Sequence, residues 1–337
     1  MAPGPMAQWF MRRVVRSRMA WKDVLGQDGL YAIVCGSGSP LADAHRSGPC
    51  IAVSAGEHFF FVDAGQGSTR NAQLMHLPLA KTQAILLTHF HSDHIANLGE
   101  LMLQRWASGS NAEPVDVIGP QGVQDVVEGF NMAYRSDVEY RAAHHGPDTM
   151  PPTGAGGRAK PFELSPASDA SAVVFDRDGV KITAFRVDHR PVEPAVGYRF
   201  DYKRRSLVIS GDTSYSESVL AQSSGADLLF HDALSASLIQ MVGDNAGVTG
   251  SPAAAKVMHD IPSYHATPED AARIASGAGV RQLVLYHIIP PVPRQMEKLF
   301  LGDAKRFYGG PLSVARDGML FFMPPQSARI ETKRLLR

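Results

Sequence analysis

The heptapeptide Thr88-His89-Phe90-His91-Ser92-Asp93-His94 constrains this chain more than any other stretch. It follows the aliphatic run Ala84-Ile85-Leu86-Leu87, which is too brief for a helix and reads as a buried strand. Beyond it, Ile95, Leu98, Leu101, Met102 and Trp106 recur at the spacing of a helix's buried face. Imidazoles and a carboxylate thus occupy a strand-to-helix turn, where a rigid strand end can aim them while one side stays open. These are the donors that zinc-type ions take. His89 and His91 alternate like residues leaving a strand, so both can face one ion. Asp93 and His94 follow one turn later and can face a second. A lone histidine here would read as part of a polar loop; H-x-H-x-D-H behind a buried strand reads as a metal site.

The same arrangement of apolar run followed by polar residue recurs downstream. Val180–Val187, after an Asp178-Gly179 hairpin turn, leads into Asp188-His189-Arg190. Ser206–Ile209 leads into Ser210-Gly211-Asp212-Thr213, Asp227–Phe230 into His231-Asp232, and Gln282–Tyr286 into His287. Such repetition predicts a site gathered along one edge of a sheet assembly. Asp212 also fits the cap of a helix starting near Ser214. His265 precedes a helix for which Thr267 and Asp270 form a capping box. The Gly36-Ser37-Gly38-Ser39 run lacks the lysine of a phosphate-cradling loop. His144 and His145 are adjacent, point different ways on any regular element, and read as surface or pocket-rim residues.

Composition excludes other classes. No run of about eighteen apolar residues predicts a transmembrane helix. Lys+Arg and Asp+Glu each number 33, and a zero formal charge disfavours a large nucleic-acid footprint. The segment 1–29 is basic and amphipathic without a secretory signal's apolar centre, which suggests a cytoplasmic protein with peripheral membrane association as a rival use of that segment. Cys35 and Cys50 are read as buried free thiols in preference to one disulfide. Residues 30–325 form the expected catalytic domain, with insertions at about 143–171 and 235–262, and 326–337 a C-terminal tail. The first insertion loses all periodicity; the second, between two site motifs, suggests a lid or wall.

From about Leu30 to Phe322 the chain resembles the metallo-β-lactamase-fold superfamily, and within it the ribonuclease Z and arylsulfatase-type branch. The resemblance implies an α/β fold, a four-layer αββα sandwich of two mixed β-sheets flanked by helices. It implies two Zn2+ ions, with Mn2+ or Fe2+ as substitutes. His89, His91 and His189 would hold the first, Asp93, His94 and His287 the second, and Asp212 would bridge them. Asp63, in Asp63-Ala64-Gly65, would brace the metal loop, and Arg46-Ser47 would lie beside the active site with the Gly-x-Gly-Ser loop. Asp93 would orient the nucleophile, His265 would act as general acid, and Asp232 would orient His265. The short span from His189 to Asp212 has no room for the protruding arm of tRNA-binding ribonuclease Z. The expectation is therefore a homodimeric hydrolase of small anionic or polar esters, phosphodiester or aryl sulfate foremost, with lactone, carboxylic ester or β-lactam cleavage alongside. A ribonuclease Z-type tRNA 3′-end endonuclease is the runner-up, and a non-catalytic metal-binding scaffold a third reading.

Overall fold

Along β1 (Leu30–Gly36), Leu30, Ala32 and Val34 enter one hydrophobic cluster while Tyr31, Ile33 and Cys35 enter another. A strand's side chains alternate between faces, so a strand apolar at every position must be covered on both sides. β2 (Cys50–Ala55), β3 (His58–Val62) and β4 (Thr82–Leu86) follow the same rule. The computed structural model describes residues 25–248 and 251–336, with positions 4, 6, 8, 9 and 11; most of the expected amphipathic segment, 1–29, lies outside the described residues.

The first sheet continues through β5 (Val115–Pro120) and β6 (Gly157–Phe162). The second comprises β7 (Ser171–Arg177), β8 (Val180–Arg186), β9 (Val196–Tyr202), β10 (Arg205–Ile209), β11 (Leu228–Leu234), β12 (Gln282–Ile289) and β13 (Leu312–Val314). β14 (Met319–Met323) and β15 (Glu331–Arg334) return to the first sheet, whose order is β15-β14-β1-β2-β3-β4-β5-β6. The second runs β13-β12-β11-β10-β9-β8-β7. Each mixes parallel and antiparallel pairs. Between them lies a core that includes Phe60, Tyr198, Phe200 and Phe230.

Helices cover the outer faces. α1 (Ser68–Leu74), α2 (Ser92–Ile95), α3 (Leu98–Gly109) and α4 (Val123–His145) lie on the first sheet's side, contributing Ala72, Leu98, Leu101, Met102 and Val123. α5 (Glu217–Gln222), α6 (Ala236–Val248), α7 (Pro252–Asp260), α8 (Pro268–Gly277), α9 (Glu297–Phe300) and α10 (Ala304–Phe307) follow β10. Of these, α5, α8, α9 and α10 pack Val219, Ala271, Ile274, Phe300 and Ala304 against the second sheet. The result is the expected αββα sandwich.

Several local expectations change. Cys35 and Cys50 form a disulfide rather than free thiols. The β1–β2 register that pairs Ile33 with Ala52 and Val34 with Ile51 carries Cys35 to Cys50, with their Cα atoms 5.1 Å apart, inside disulfide range. The expected tail contributes β15, whose Thr332 and Lys333 are exposed and whose backbone occupies the open edge of β14. Within 143–171, α4 runs on to His145 and stops at Gly146 (φ 82°), and β6 pairs parallel with β5. His144 and His145 sit exposed at that helix end.

Candidate metal centre

The histidine-rich turn is held from below by Asp63. Its Oδ1 accepts the Thr88 N–H at 2.8 Å, and its Oδ2 accepts the Thr88 hydroxyl and His94 Nδ1, both at 2.8 Å. Because a carboxylate can only accept, His94 must carry a proton on Nδ1, which makes Nε2 the nitrogen that can face an ion. The Asp63-Ala64-Gly65 turn can pass this close because a Cβ on Gly65 would lie 2.3 Å from the Asp93 carbonyl oxygen. The buried Tyr198 hydroxyl donates to the Leu87 carbonyl at 2.6 Å, and Val196 N–H donates to the Thr88 carbonyl at 3.0 Å. These bonds tie the turn to the second sheet.

That second sheet supplies the remaining donors. His189 follows β8; its Nδ1 donates to the Tyr264 carbonyl at 2.9 Å, leaving Nε2 free. Asp212 follows β10 through Gly211, whose φ of 65° and 2.6 Å approach to the Val196 carbonyl exclude a side chain there. His287 is displaced from β12 where the pairing jumps from Asp232↔Tyr286 to Ala233↔Ile288. Its φ of 49° is rare for a non-glycine residue and turns the imidazole inward.

The structure brings all seven candidate donors together. Donor atoms of His89, His91, His189 and Asp212 lie within 4.8 Å of one another, and so do those of Asp93, His94 and His287. Asp212 stands between the groups: its Oδ2 is 3.2 Å from both His94 Nε2 and His287 Nε2, and 3.8 Å from His89 Nε2. His287 Nε2 is also 3.2 Å from Asp93 Oδ2. His94 Nε2, His189 Nε2 and Asp212 Oδ1 are buried with no hydrogen-bond partner among the described residues. Buried polar atoms are seldom left so, and three converging lone pairs are what a cation would satisfy. The donor set therefore fits a metal.

Charge is already distributed for that purpose. Burial holds His89 well below the ordinary histidine range and His189 at about 4, so both are neutral donors. Burial would raise Asp212, but His287, His94 and His89 outweigh it and hold the carboxyl well below the usual range. His94 and His287 shift upward, because Asp212 and its neighbouring carboxylates outweigh the effect of burial.

His265 lies beside this cluster, within 4.8 Å of donor atoms of Asp212 and His287. Its Nδ1 donates to Asp232 Oδ2 at 2.9 Å, so Nε2 is the nitrogen left for a substrate. Asp232 is wholly buried, and its own N–H donates to the Ser210 hydroxyl at 3.1 Å. His231 Nδ1 donates to the Asp232 carbonyl at 2.9 Å. Thr267 and Asp270 form the expected capping box at the start of α8, which fixes the segment carrying His265. A cavity of about 270 Å³ opens over these residues, walled by Leu41, Val257, Met258 and Ile261. Val257 and Met258 come from α7, in the second expected insertion.

One residue had no sequence signal. Asp317, in the turn before β14, accepts the Ser37 N–H and hydroxyl at 2.9 and 2.8 Å, the Ser47 N–H at 2.7 Å and the Asn71 amide at 2.7 Å. Arg46 donates to the Ser37 hydroxyl and the Ala315 carbonyl. The Arg46-Ser47 pair thus belongs to a knot that anchors the loop bearing Ser39 and Leu41, and only that loop's near end lines the cavity.

A family model described as "Beta-lactamase superfamily domain" matches residues 58–288. Ribonuclease Z of Mycobacterium bovis (strain BCG / Pasteur 1173P2) is 34% identical over 290 residues, covering 86% of this chain and 96% of the relative. Among solved structures, the metallo-beta-lactamase fold protein YhfI from Bacillus subtilis superposes with TM-score 0.61 at 19% identity, covering 88% of this chain and 100% of that one. Human tRNase Z, short form, superposes with TM-score 0.59 at 20% identity, covering 86% and 98%. At those identities the structures speak to the fold. The expectation of a small-molecule partner, with nucleic acid disfavoured, is overturned by relatives named for action on RNA. Formal charge sums over the whole chain and cannot register a local concentration of cations.

Proposed function

The chain belongs to the metallo-β-lactamase-fold superfamily of metal-dependent hydrolases, and from that premise we propose that it is a ribonuclease Z-type endonuclease that cleaves a phosphodiester near the 3′ end of precursor tRNA. The observation that carries this reading is the His265–Asp232 pair set against the metal-type donors, in a chain one-third identical to ribonuclease Z across nearly that relative's whole length. His89, His91 and His189 would hold one zinc ion, Asp93, His94 and His287 a second, and Asp212 would face both. When bound, a pair of divalent cations lowers the pKa of water towards neutrality and neutralises charge developing on phosphoryl oxygens.

The chain's own groups supply the rest. Asp93 Oδ2, 3.2 Å from His287 Nε2, is placed to orient an attacking water and accept its proton. As an imidazolium, His265 would give its Nε2 proton to the departing ribose oxygen and keep the Nδ1–H that Asp232 accepts, so Asp232 both orients the ring and offsets its charge. Val257, Met258 and Ile261 give the cavity an apolar wall that limits water around the reacting groups.

The small-ester reading gives way here, since the relatives favour its runner-up. The scaffold reading fails to account for unpartnered buried lone pairs beside a tautomer-setting aspartate. Incubating the zinc-loaded chain with precursor tRNA carrying a 3′ trailer tests the proposal. Cleavage at one position is expected. Intact RNA alongside a full metal complement would end it.

A further inference from the structure

A cavity of about 790 Å³ is lined by Arg46, Arg70, Arg294, Arg316 and Arg334 with His45. It adjoins the metal centre along two chain segments. Ser39, Pro40 and Leu41 wall the centre and the next residues, from Ala42 to Ser47, wall this cavity. Likewise His287 and Ile289 face the centre while residues from Pro291 to Gln295 face the cavity. Two residues of extended chain span only about 7 Å, so one ligand can occupy both.

The guanidiniums differ in what they already hold. Arg46 is committed to Ser37 and Ala315, and Arg316 pairs with Glu297. Arg70, Arg294 and Arg334 are exposed, and their guanidiniums make no hydrogen bond or ion pair with another described residue. The acidic lining is spent: Asp43 lies 3.6 Å from Arg46, and Asp317 has both oxygens occupied by Ser37, Ser47 and Asn71. Three unspent guanidiniums therefore face one groove in a chain whose cationic and anionic residues balance at 33 each. They arrive from three places, α1, the segment after β12, and the edge strand β15. Guanidinium recognises phosphate in bidentate fashion, and charges spread along a groove suit a chain of phosphates better than one small anion.

We propose that this groove takes the phosphodiester backbone of RNA flanking the bond held at the metal centre. The inference rests on the ribonuclease Z reading for its ligand class but is measured separately, by anisotropy of labelled mature tRNA with the zinc-loaded full chain across a salt series. Replacing Arg70, Arg294 and Arg334 together by Gln should weaken binding at least about tenfold and lower the slope of log Kd against log salt by about 2–3, at roughly 0.7–0.9 per lost contact. The corresponding triple Lys variant should keep most of that slope. Matched zinc content and thermal midpoint check that the variants fold. A Gln triple with wild-type slope overturns the groove even if the chain cleaves precursor tRNA, and so does a wild-type chain that binds no RNA. Loss of RNA affinity in the Gln triple, without precursor cleavage by the wild type, upholds the groove and removes only the proposed reaction.

Discussion

Replacing Asp63 by Asn should weaken metal binding without unfolding the chain, and the reason can be followed proton by proton. The Asp63 backbone has φ 60°, a conformation Asn adopts readily, so the exchange isolates the side chain. An amide must keep its oxygen towards the Thr88 N–H, which places NH2 where Oδ2 now accepts from His94 Nδ1 and the Thr88 hydroxyl. Two donors then face each other at 2.8 Å, and His94 is released only by moving its proton to Nε2, which removes the lone pair aimed into the centre. The Thr88 hydroxyl also lies 3.1 Å from His89 Nδ1, so the disturbance passes to a second imidazole. Losing one charge-assisted hydrogen bond costs about 1.5–3 kcal/mol, or about 10- to 150-fold in an equilibrium constant. That agrees with the ten- to hundredfold typical of removing a ligand's outer partner. Competition with a chromophoric chelator should show one ion weakened by about that factor and the other by less. Thr88→Val, which removes the hydroxyl between Asp63 Oδ2 and His89 Nδ1 but leaves the Asp63–His94 bond, should reverse which ion suffers more. If Asp63→Asn binds both ions within threefold of wild type, the tautomer argument is wrong.

Other outcomes follow from the same geometry. His265→Ala should retain both ions while precursor cleavage falls about 10²- to 10⁴-fold, with a smaller loss on an aryl phosphodiester whose leaving group needs no proton; equal losses would remove the acid role. Without an ion, Asp212 and its neighbouring carboxylates shift His94 and His287 upward, whereas burial shifts His89 downward and His189 to about 4. Zinc uptake should therefore release protons and tighten as pH rises through neutrality; calorimetry in two buffers of different ionisation enthalpy that detects no release would refute this. Asp317→Ala strands four buried or half-buried donors and should cost about 3 kcal/mol or more in urea unfolding; an unmoved midpoint would show that the loops do not depend on it.

What could be read from sequence shares one property: a polar residue directly after an apolar run. His89, Asp212 and His287 each end or interrupt a strand, so strand periodicity located them before any coordinates. Asp317 follows only a three-residue strand after a short link, and its partners Ser37, Ser47 and Asn71 are 246 or more positions away. The Cys35–Cys50 bridge depends on how β1 and β2 are set in register, which composition does not encode. The three unspent arginines come from positions 70, 294 and 334, so no basic run exists to notice. A zero formal charge over the whole chain is compatible with such a local cluster, so it is a poor guide to nucleic acid.

The donors divide unevenly along the chain, with His89, His91, Asp93 and His94 on the first sheet and His189, Asp212 and His287 on the second. During synthesis the early group emerges roughly two hundred residues before the last donor, and β14 has still to return and pair with β1. A nascent chain would therefore expose His89, His91, Asp93 and His94 without their three partners until the second sheet's residues have emerged. An ion that needs donors from both sheets could be gripped only after His287 has emerged and the two sheets have packed together.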